Sequence, residues 1–362
     1  MYTLVPSWVL GTHLSATADS RSKKTTSMES RFKDHTVCVT GGLGLIGSFL
    51  CDELLEAGAR VVLVDDESKG SWRHVLHLRS RVHYRKGNLE NPVFARNAID
   101  GCDAVFHLAS RVYGVGFSHK NNFEMFRFND LINTNVLDAI AAHRPSQALV
   151  VSSSCVYPDD GPTPMSDAIP ITGEPESVNW GYGWAKRILE QKAIIYQRET
   201  GIPITVVRPF NVYGERYLWV GDSSQAIPML AKRVLDGENP VVVWGTGNQQ
   251  RNYVHALDCA RVMLRLMQNG YCERPVNIGG EETITVRALV ERLAAIAGIE
   301  VAVVADRSKP EGRFIKSADR TRLTAALGDD FEWQVGLREG LERMIGWYHK
   351  SFPTGERLGA AN

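Results

Sequence analysis

Residues Val37–Asp65 read VCVTGGLGLIGSFLCDELLEAGARVVLVD. An apolar run, VCVT, enters a cluster of glycines. SFLCDELLEAG then carries the apolar spacing of a helix, and a second apolar run ends on an acid. That order is strand, tight turn, helix, strand, acid, the first half of a dinucleotide-binding unit. The glycines fit two registers, Gly42-x-Gly44-x-x-Gly47 and Gly41-x-x-Gly44-x-x-Gly47. Both bring backbone close to a pyrophosphate at a helix N-terminus, and Leu45 and Ile46 between the glycines are expected to contact the cofactor. A carboxylate closing the second strand, Asp65, accepts hydrogen bonds from the adenosine ribose and repels a 2′-phosphate, so the expected cofactor is NAD rather than NADP. Asp66 beside it can share that role.

Outward from this stretch, the chain has 362 residues, enough for one large or two modest domains. Lys+Arg and Asp+Glu both total 41, a balance that points to neither nucleic acid nor a membrane surface as partner. No apolar run approaches the length of a membrane span. Six cysteines, Cys38, Cys51, Cys102, Cys155, Cys259 and Cys272, are scattered without a C-x-x-C pair, which suits a reducing, cytoplasmic setting. No His/Cys/Asp cluster has metal-ligand spacing, so no metal is expected. Residues 1–30 are rich in Ser and Thr, with a basic SRSKKTTS piece and no sustained periodicity, and are expected to be a disordered leader. LVPSWVLG lacks the basic flank of a secretory signal; an organelle transit peptide is the minor alternative.

Downstream, apolar runs alternate with helical spacing. VHYRKG meets Asn88 and Leu89, DAVFHLAS carries His107, Leu108 and Ala109, residues 123–142 are helical, and ALVVSSSCVYP ends in hydroxyls. This predicts an α/β fold, a Rossmann-type doubly wound parallel sheet whose unusual residues gather in one crevice at the carboxyl ends of the strands. Residues 159–179, with prolines at 162, 164, 170 and 175, read as an irregular loop. A helix closed by Gly201 and the strand ITVVRP follow. From Asn211 the units shorten into a smaller mixed α/β C-terminal region. The expected division is 31–210 for the NAD-binding domain, with 241–268 returning to it, and 211–240 plus 269–355 for the substrate region.

Tyr182 and Lys186 in YGWAK are four apart, on one face of a helix. A lysine cation beside a phenol lowers its pKa from about 10, which makes a base near neutral pH.

TGGLGLIG, Asp65, HLAS, SSSCVYP and YGWAK together resemble the extended short-chain dehydrogenase/reductase family, the NAD-dependent nucleotide-sugar epimerases and dehydratases, over nearly all of residues 34–350. RPFNVYG, RNYVHALD and NIGG stand where that family places its substrate region. SSSCVYP, Tyr113–Phe117 and the Pro310-Glu311-Gly312 segment look most like its GDP-mannose 3,5-epimerase branch, and VVVWGTG like its GDP-fucose synthases. The resemblance implies that Tyr182 takes the proton of the sugar's C-4 hydroxyl, that Lys186 holds the cofactor ribose, and that Ser153 binds the reacting oxygen. The product is a transient 4-keto sugar.

By the same resemblance Asn211, Arg251 and Arg313 face the substrate, Gly114 and Gly116 belong to a loop over the sugar, and the molecule is a homodimer through helices near 129–143 and 180–200. The favoured substrate is a GDP-sugar, with UDP possible.

Cys155 lies two residues past Ser153, so on an extended strand both point to one face and put a thiol beside the sugar. A free pKa of about 8.5, lowered near a positive nicotinamide, makes it an acid/base for C-3 or C-5. Two positions depart from the family. Gln225 stands where a His or Lys second acid is usual, and an amide does not exchange protons at neutral pH. Arg216, Tyr217 and Asp222 are its nearest substitutes. Asn88 replaces an aspartate near adenine. His107 and His255 are expected to be structural. The leading reading is therefore an epimerase. A dehydratase or 4-dehydrogenase using Cys155 at C-5 is the alternative within enzymes, and a non-catalytic NAD-binding regulator the alternative outside them.

Overall fold

The computed structural model describes residues 31–219, 224, 226–309 and 311–352. The leader at 1–30, Asp222, Gln225 and Pro310 lie outside the described residues. In chain order the first half contains β1 (Thr36–Thr40), α1 (Leu45–Glu56), β2 (Arg60–Asp65), β3 (His83–Lys86), α2 (Pro92–Ile99), β4 (Ala104–His107), α3 (Val115–Lys120), α4 (Asn122–His143), β5 (Gln147–Val151), α5 (Trp180–Thr200) and β6 (Ile204–Pro209). The second half contains β7 (Val212–Tyr213), α6 (Ala226–Leu235), β8 (Val241–Trp244), β9 (Gln250–Asn252), β10 (Val254–His255), α7 (Ala256–Gln268), β11 (Val276–Ile278), β12 (Thr283–Thr285), α8 (Val286–Ala297), β13 (Val303–Asp306), β14 (Ile315–Lys316), α9 (Thr321–Leu327) and α10 (Leu337–Ser351).

The main sheet has seven strands in the order β11-β6-β5-β4-β1-β2-β3, all paired in parallel. Its inner strands are apolar on both faces because helices cover both, while the edge strand β3, HYRK, is polar and partly exposed. Phe49, Leu50 and Leu54 of α1 and Val262, Met263 and Leu266 of α7 pack on one face with Val37, Val39 and Leu63. Ala95 of α2, Val136 and Ile140 of α4 and Leu189 of α5 pack on the other with Cys38, Val62 and Val150. The strand order reverses between β1 and β4, so a crevice opens at their carboxyl ends, where ligands of such sheets bind.

The smaller region is built from α6, α8 and α10 around Trp219, Leu230, Leu289, Leu341 and Met344. Here the expected division needs correction. β8 pairs with β13, and β9 with β12 and β14, all away from the main sheet. Residues 241–252 therefore pair away from the main sheet, whereas Val254 of β10 already packs with its core and the return begins there. β11, expected in the substrate region, is the main sheet's edge strand. Strands too short to show a period carry no signal of which sheet they join.

Candidate active site

The glycine turn is built by close approach. Gly41 has φ +70°, and a Cβ there would sit 2.9 Å from the Ala109 backbone; a Cβ on Gly47 would sit 2.2 Å from the Gly41 carbonyl oxygen. Gly44 caps α1 with no side-chain hydrogen bond, so the first amides of the helix stay available to an anion. Gly47→Ala is expected to cost about 1–3 kcal/mol by overpacking and to weaken NAD binding at least about tenfold, measured by denaturant unfolding and fluorescence titration; unchanged affinity would contradict this packing. Asp65 closes β2, 8% exposed, and accepts from Leu43 N at 3.0 Å and Glu67 N at 2.8 Å. Burial raises its pKa despite those two bonds.

Gly41, Gly44, Leu45, Ile46, Gly47, Asp65, Asn88, Leu89, Leu108 and Ala109 all line one cavity of about 1170 Å³. Asn88 Oδ1 accepts from Glu90 N at 2.9 Å, and the amides of Leu108 and Ala109 both donate to Thr40 Oγ1 at 3.2 Å. Pockets for one small ligand run to about 1,000 Å³, so this volume suits a dinucleotide together with a second nucleotide. The turn with no room for a Cβ, the uncapped helix start and the buried acid at the end of β2 fit NAD.

At the centre of the cavity, α5 presents Tyr182 and Lys186 one turn apart. The Ser110 and Ser153 side chains act on the Tyr182 phenol and partly offset the rise of its pKa. Lys186 is fully buried; its Nζ donates to Val151 O at 2.8 Å and lies 5.5 Å from the centroid of the Tyr182 ring. The expected lowering of the phenol is not present. Burial raises Tyr182 above its ordinary value, with the nearby Cys155 adding to the rise, while burial pushes Lys186 down to about 7. The pair is desolvated together, and desolvation outweighs their attraction.

Ser153 and Cys155 also line the cavity, but not as residues of a strand. β5 ends at Val151 and the chain tightens into a 3₁₀ turn at Ser154–Val156, whose first amides are capped by Ser153 Oγ accepting from Cys155 N at 3.1 Å. The hydroxyl-rich run favours this local side-chain-to-backbone bond over continued extension. The turn, not strand alternation, brings the thiol into the cavity. Burial pushes Cys155 up to about 12, above the lowered value expected from sequence.

Beyond this centre the substrate assignments divide. Asn211, at φ +39°, lines the cavity and donates to Asn252 O at 3.0 Å. Arg251 lines it too, while donating to Gln250 O at 2.8 Å, Arg313 O at 2.9 Å and Glu311 O at 3.2 Å. Gly114 lines it as the N-cap of α3; Gly116 lies within that helix, which replaces the expected loop. Arg313 is a correction. Its guanidinium is spent on Pro158 O, Gly161 O, Pro162 O, Thr163 Oγ1 and Ile315 O, and it does not reach the cavity. Of the substitutes for Gln225, Tyr217 and Arg216 both line the cavity, and Arg216 is also paired with Asp52 at 2.7 Å. His107 bridges Thr40 at 2.8 Å and Asn133 at 3.1 Å and is pushed down to about 3 by burial, so it is a neutral structural residue. His255 is buried against Glu215 at 2.9 Å.

Three cavity residues were not legible from sequence. Lys316 of β14 places Nζ 3.6 Å from Cys155 Sγ and 2.8 Å from Glu176 Oε2, all three side chains buried. Glu176 comes from the proline-rich segment read only as irregular. Lys69 is desolvated to about 8 with Nζ 2.7 Å from Val112 O. Among the described residues there is no cluster that could hold a metal ion, and no helix is long and apolar enough to cross a membrane.

The chain is similar to known proteins in sequence and in fold. GDP-L-fucose synthase 1 of Arabidopsis thaliana is 28% identical over 325 residues, covering 88% of this chain and 94% of that protein. Among solved structures, UDP-glucose 4-epimerase of Thermotoga maritima with UDP-glucose superposes with a TM-score of 0.77 at 27% identity, over 87% of this chain and 99% of that one. MoeE5 in complex with UDP-glucuronic acid and NAD gives 0.74 at 26% identity, over 87% and 99%. The profile of the NAD dependent epimerase/dehydratase family matches residues 37–279, from the first residues of β1 to the end of the main sheet's edge strand. By its fold, its cofactor site and this match, the chain belongs to the NAD dependent epimerase/dehydratase family.

Proposed function

We propose that the protein is a nucleotide-sugar epimerase acting through a transient 4-keto intermediate, with a GDP-sugar as the favoured substrate and inversion at C-3 or C-5. The observation that carries this reading is the convergence of Tyr182, Ser153, Lys186 and Cys155 in one cavity with volume for two nucleotides. NAD, held by the glycine turn and Asp65, supplies the hydride acceptor and donor when bound. Tyr182 removes the C-4 hydroxyl proton, and Ser153 and Ser110 favour the ionised phenol that does so. Lys186 stands on the same helix face to carry compensating charge. The 4-keto group acidifies C-3 and C-5, and Cys155 is the acid/base there. Asn211 and Arg251 hold the diphosphate. A homodimer through α4 and α5 belongs to the same reading; Phe123, Trp180 and Ile195 are exposed apolar side chains on those helices.

The test is incubation with GDP- and UDP-hexoses in deuterated water, with ring protons followed by NMR. Loss of the C-3 or C-5 signal is expected, with a product one mass unit heavier per exchanged position and isobaric with the substrate when made in ordinary water, and Cys155→Ala should slow that loss about 100-fold while cofactor reduction continues. No exchange with a sugar that visibly reduces bound NAD would contradict the assignment. A product lighter by water or by two hydrogens would instead establish the dehydratase or 4-dehydrogenase reading.

A further inference from the structure

Cys155 sits among groups that neither its turn nor the opening motif supplies. Lys316 arrives on β14, with Nζ 3.6 Å from the sulfur and 2.8 Å from Glu176. Glu176 arrives from the segment before α5, raises the thiol of Cys155 by its negative charge, and donates its backbone N–H to Cys155 O at 3.2 Å. Asn179 Nδ2 donates to the same carboxylate oxygen, Oε2, at 2.9 Å and fixes its orientation. The other charged or titratable neighbours are Tyr182, Lys186 and, behind Lys316, Arg251. The apolar wall is Met125, Val112, Tyr113 and Phe117.

The two ionic partners act on the thiol with opposite signs. An ammonium donating toward sulfur favours the thiolate; a carboxylate charge nearby favours the thiol. Within the cluster the carboxylate and the ammonium satisfy one another, with Glu176 held down at about 2 and Lys316 raised above its ordinary value. Burial then leaves Cys155 protonated.

We propose that Lys316 and Glu176 are positioning residues that hold Cys155 as a proton donor at rest and stabilise the thiolate left after it donates. In the donating step S–H breaks and C–H forms at the carbon beside the keto group. The enolate electron pair supplies that bond while C=O re-forms, and the negative charge passes to sulfur beside the Lys316 ammonium. The reverse transfer, from C–H to the thiolate, returns the enolate and the thiol; after a productive donation the thiolate regains its proton from solvent water. No oxidant or reductant is required. The catalytic meaning of this arrangement rests on the epimerase reading; the charge balance on the thiol does not.

The test therefore reads the thiol directly. Cys155 alkylation by iodoacetamide is followed by peptide mass spectrometry at fixed, mildly alkaline pH, where the rate follows the thiolate fraction and each pKa unit is about tenfold. Glu176→Gln is expected to speed alkylation at least about tenfold, and Lys316→Met to slow it at least about tenfold. Lys316→Arg, which keeps the charge, should stay within about threefold of the native rate. A role confined to packing would loosen the site and speed alkylation in both Glu176→Gln and Lys316→Met, so a shift of the same sign in the two, or no shift, overturns the proposal. If the signs are opposite but no nucleotide sugar reduces bound NAD, the charge device stands and the epimerase reading fails.

Discussion

Tyr182→Phe is expected to lower turnover about 1,000-fold, within the range for loss of a positioned proton-transfer group. The ring packs against Met125 and Cys155, and phenylalanine retains those contacts, so KM and the unfolding midpoint should change little. Only the phenolic oxygen, on which Ser110 and Ser153 act, is removed. Steady-state kinetics on the sugar that gives ring-proton exchange separates the two parameters, and a large rise in KM with turnover preserved would make Tyr182 a binding residue only. The raised phenol also sets the direction of the pH response. Tyr182 rests protonated, so turnover should rise with pH as long as ionisation of the phenol limits the reaction.

The second large effect is on stability. Arg208 of β6 and Glu190 of α5 are buried and paired through two contacts, at 2.8 and 2.7 Å. Glu190 also accepts from Ser152 Oγ at 2.6 Å, and Arg208 donates to the Tyr157 hydroxyl at 2.8 Å, which in turn donates to Asn277 at 2.8 Å. Both ends of the Ser152–Tyr157 segment, and with it Ser153 and Cys155, are thereby pinned. Glu190→Ala leaves a buried guanidinium without its counter-ion and is expected to cost about 3–5 kcal/mol in urea unfolding. Replacing both partners with methionine should cost less than the single change, because no buried charge is then left alone. A loss below about 1 kcal/mol for Glu190→Ala would show that the network does not hold the segment.

Where the placement of a residue depends on local chain geometry, it was legible in the sequence. The glycine turn, Asp65 and the Tyr182/Lys186 spacing each lie within one strand-turn-helix unit or one helical turn, and short-range periodicity reports such units faithfully. Legibility ends where partners are distant. Lys316 meets Cys155 across 161 residues and Glu176 across 140, through a two-residue strand and an irregular segment that carry no period. Arg313 was misplaced for a related reason. An arginine near a substrate segment looks like an anion ligand, but here loop carbonyls between Pro158 and Pro162 consume it. The sign of the pKa shifts was also out of reach, since spacing gives proximity and not burial; Tyr182 and Cys155 move up where proximity alone predicted down.

The central claim is that the sugar is oxidised at C-4 only transiently and recovers its own hydride. The most direct measurement is turnover of a nucleotide sugar deuterated at C-4, with the product read by mass spectrometry and NMR and reduced nicotinamide read by absorbance. The account predicts an isobaric product that keeps its C-4 deuterium, with no net accumulation of reduced cofactor. A product that loses the label while deuterated NADH accumulates in proportion to turnover would contradict it.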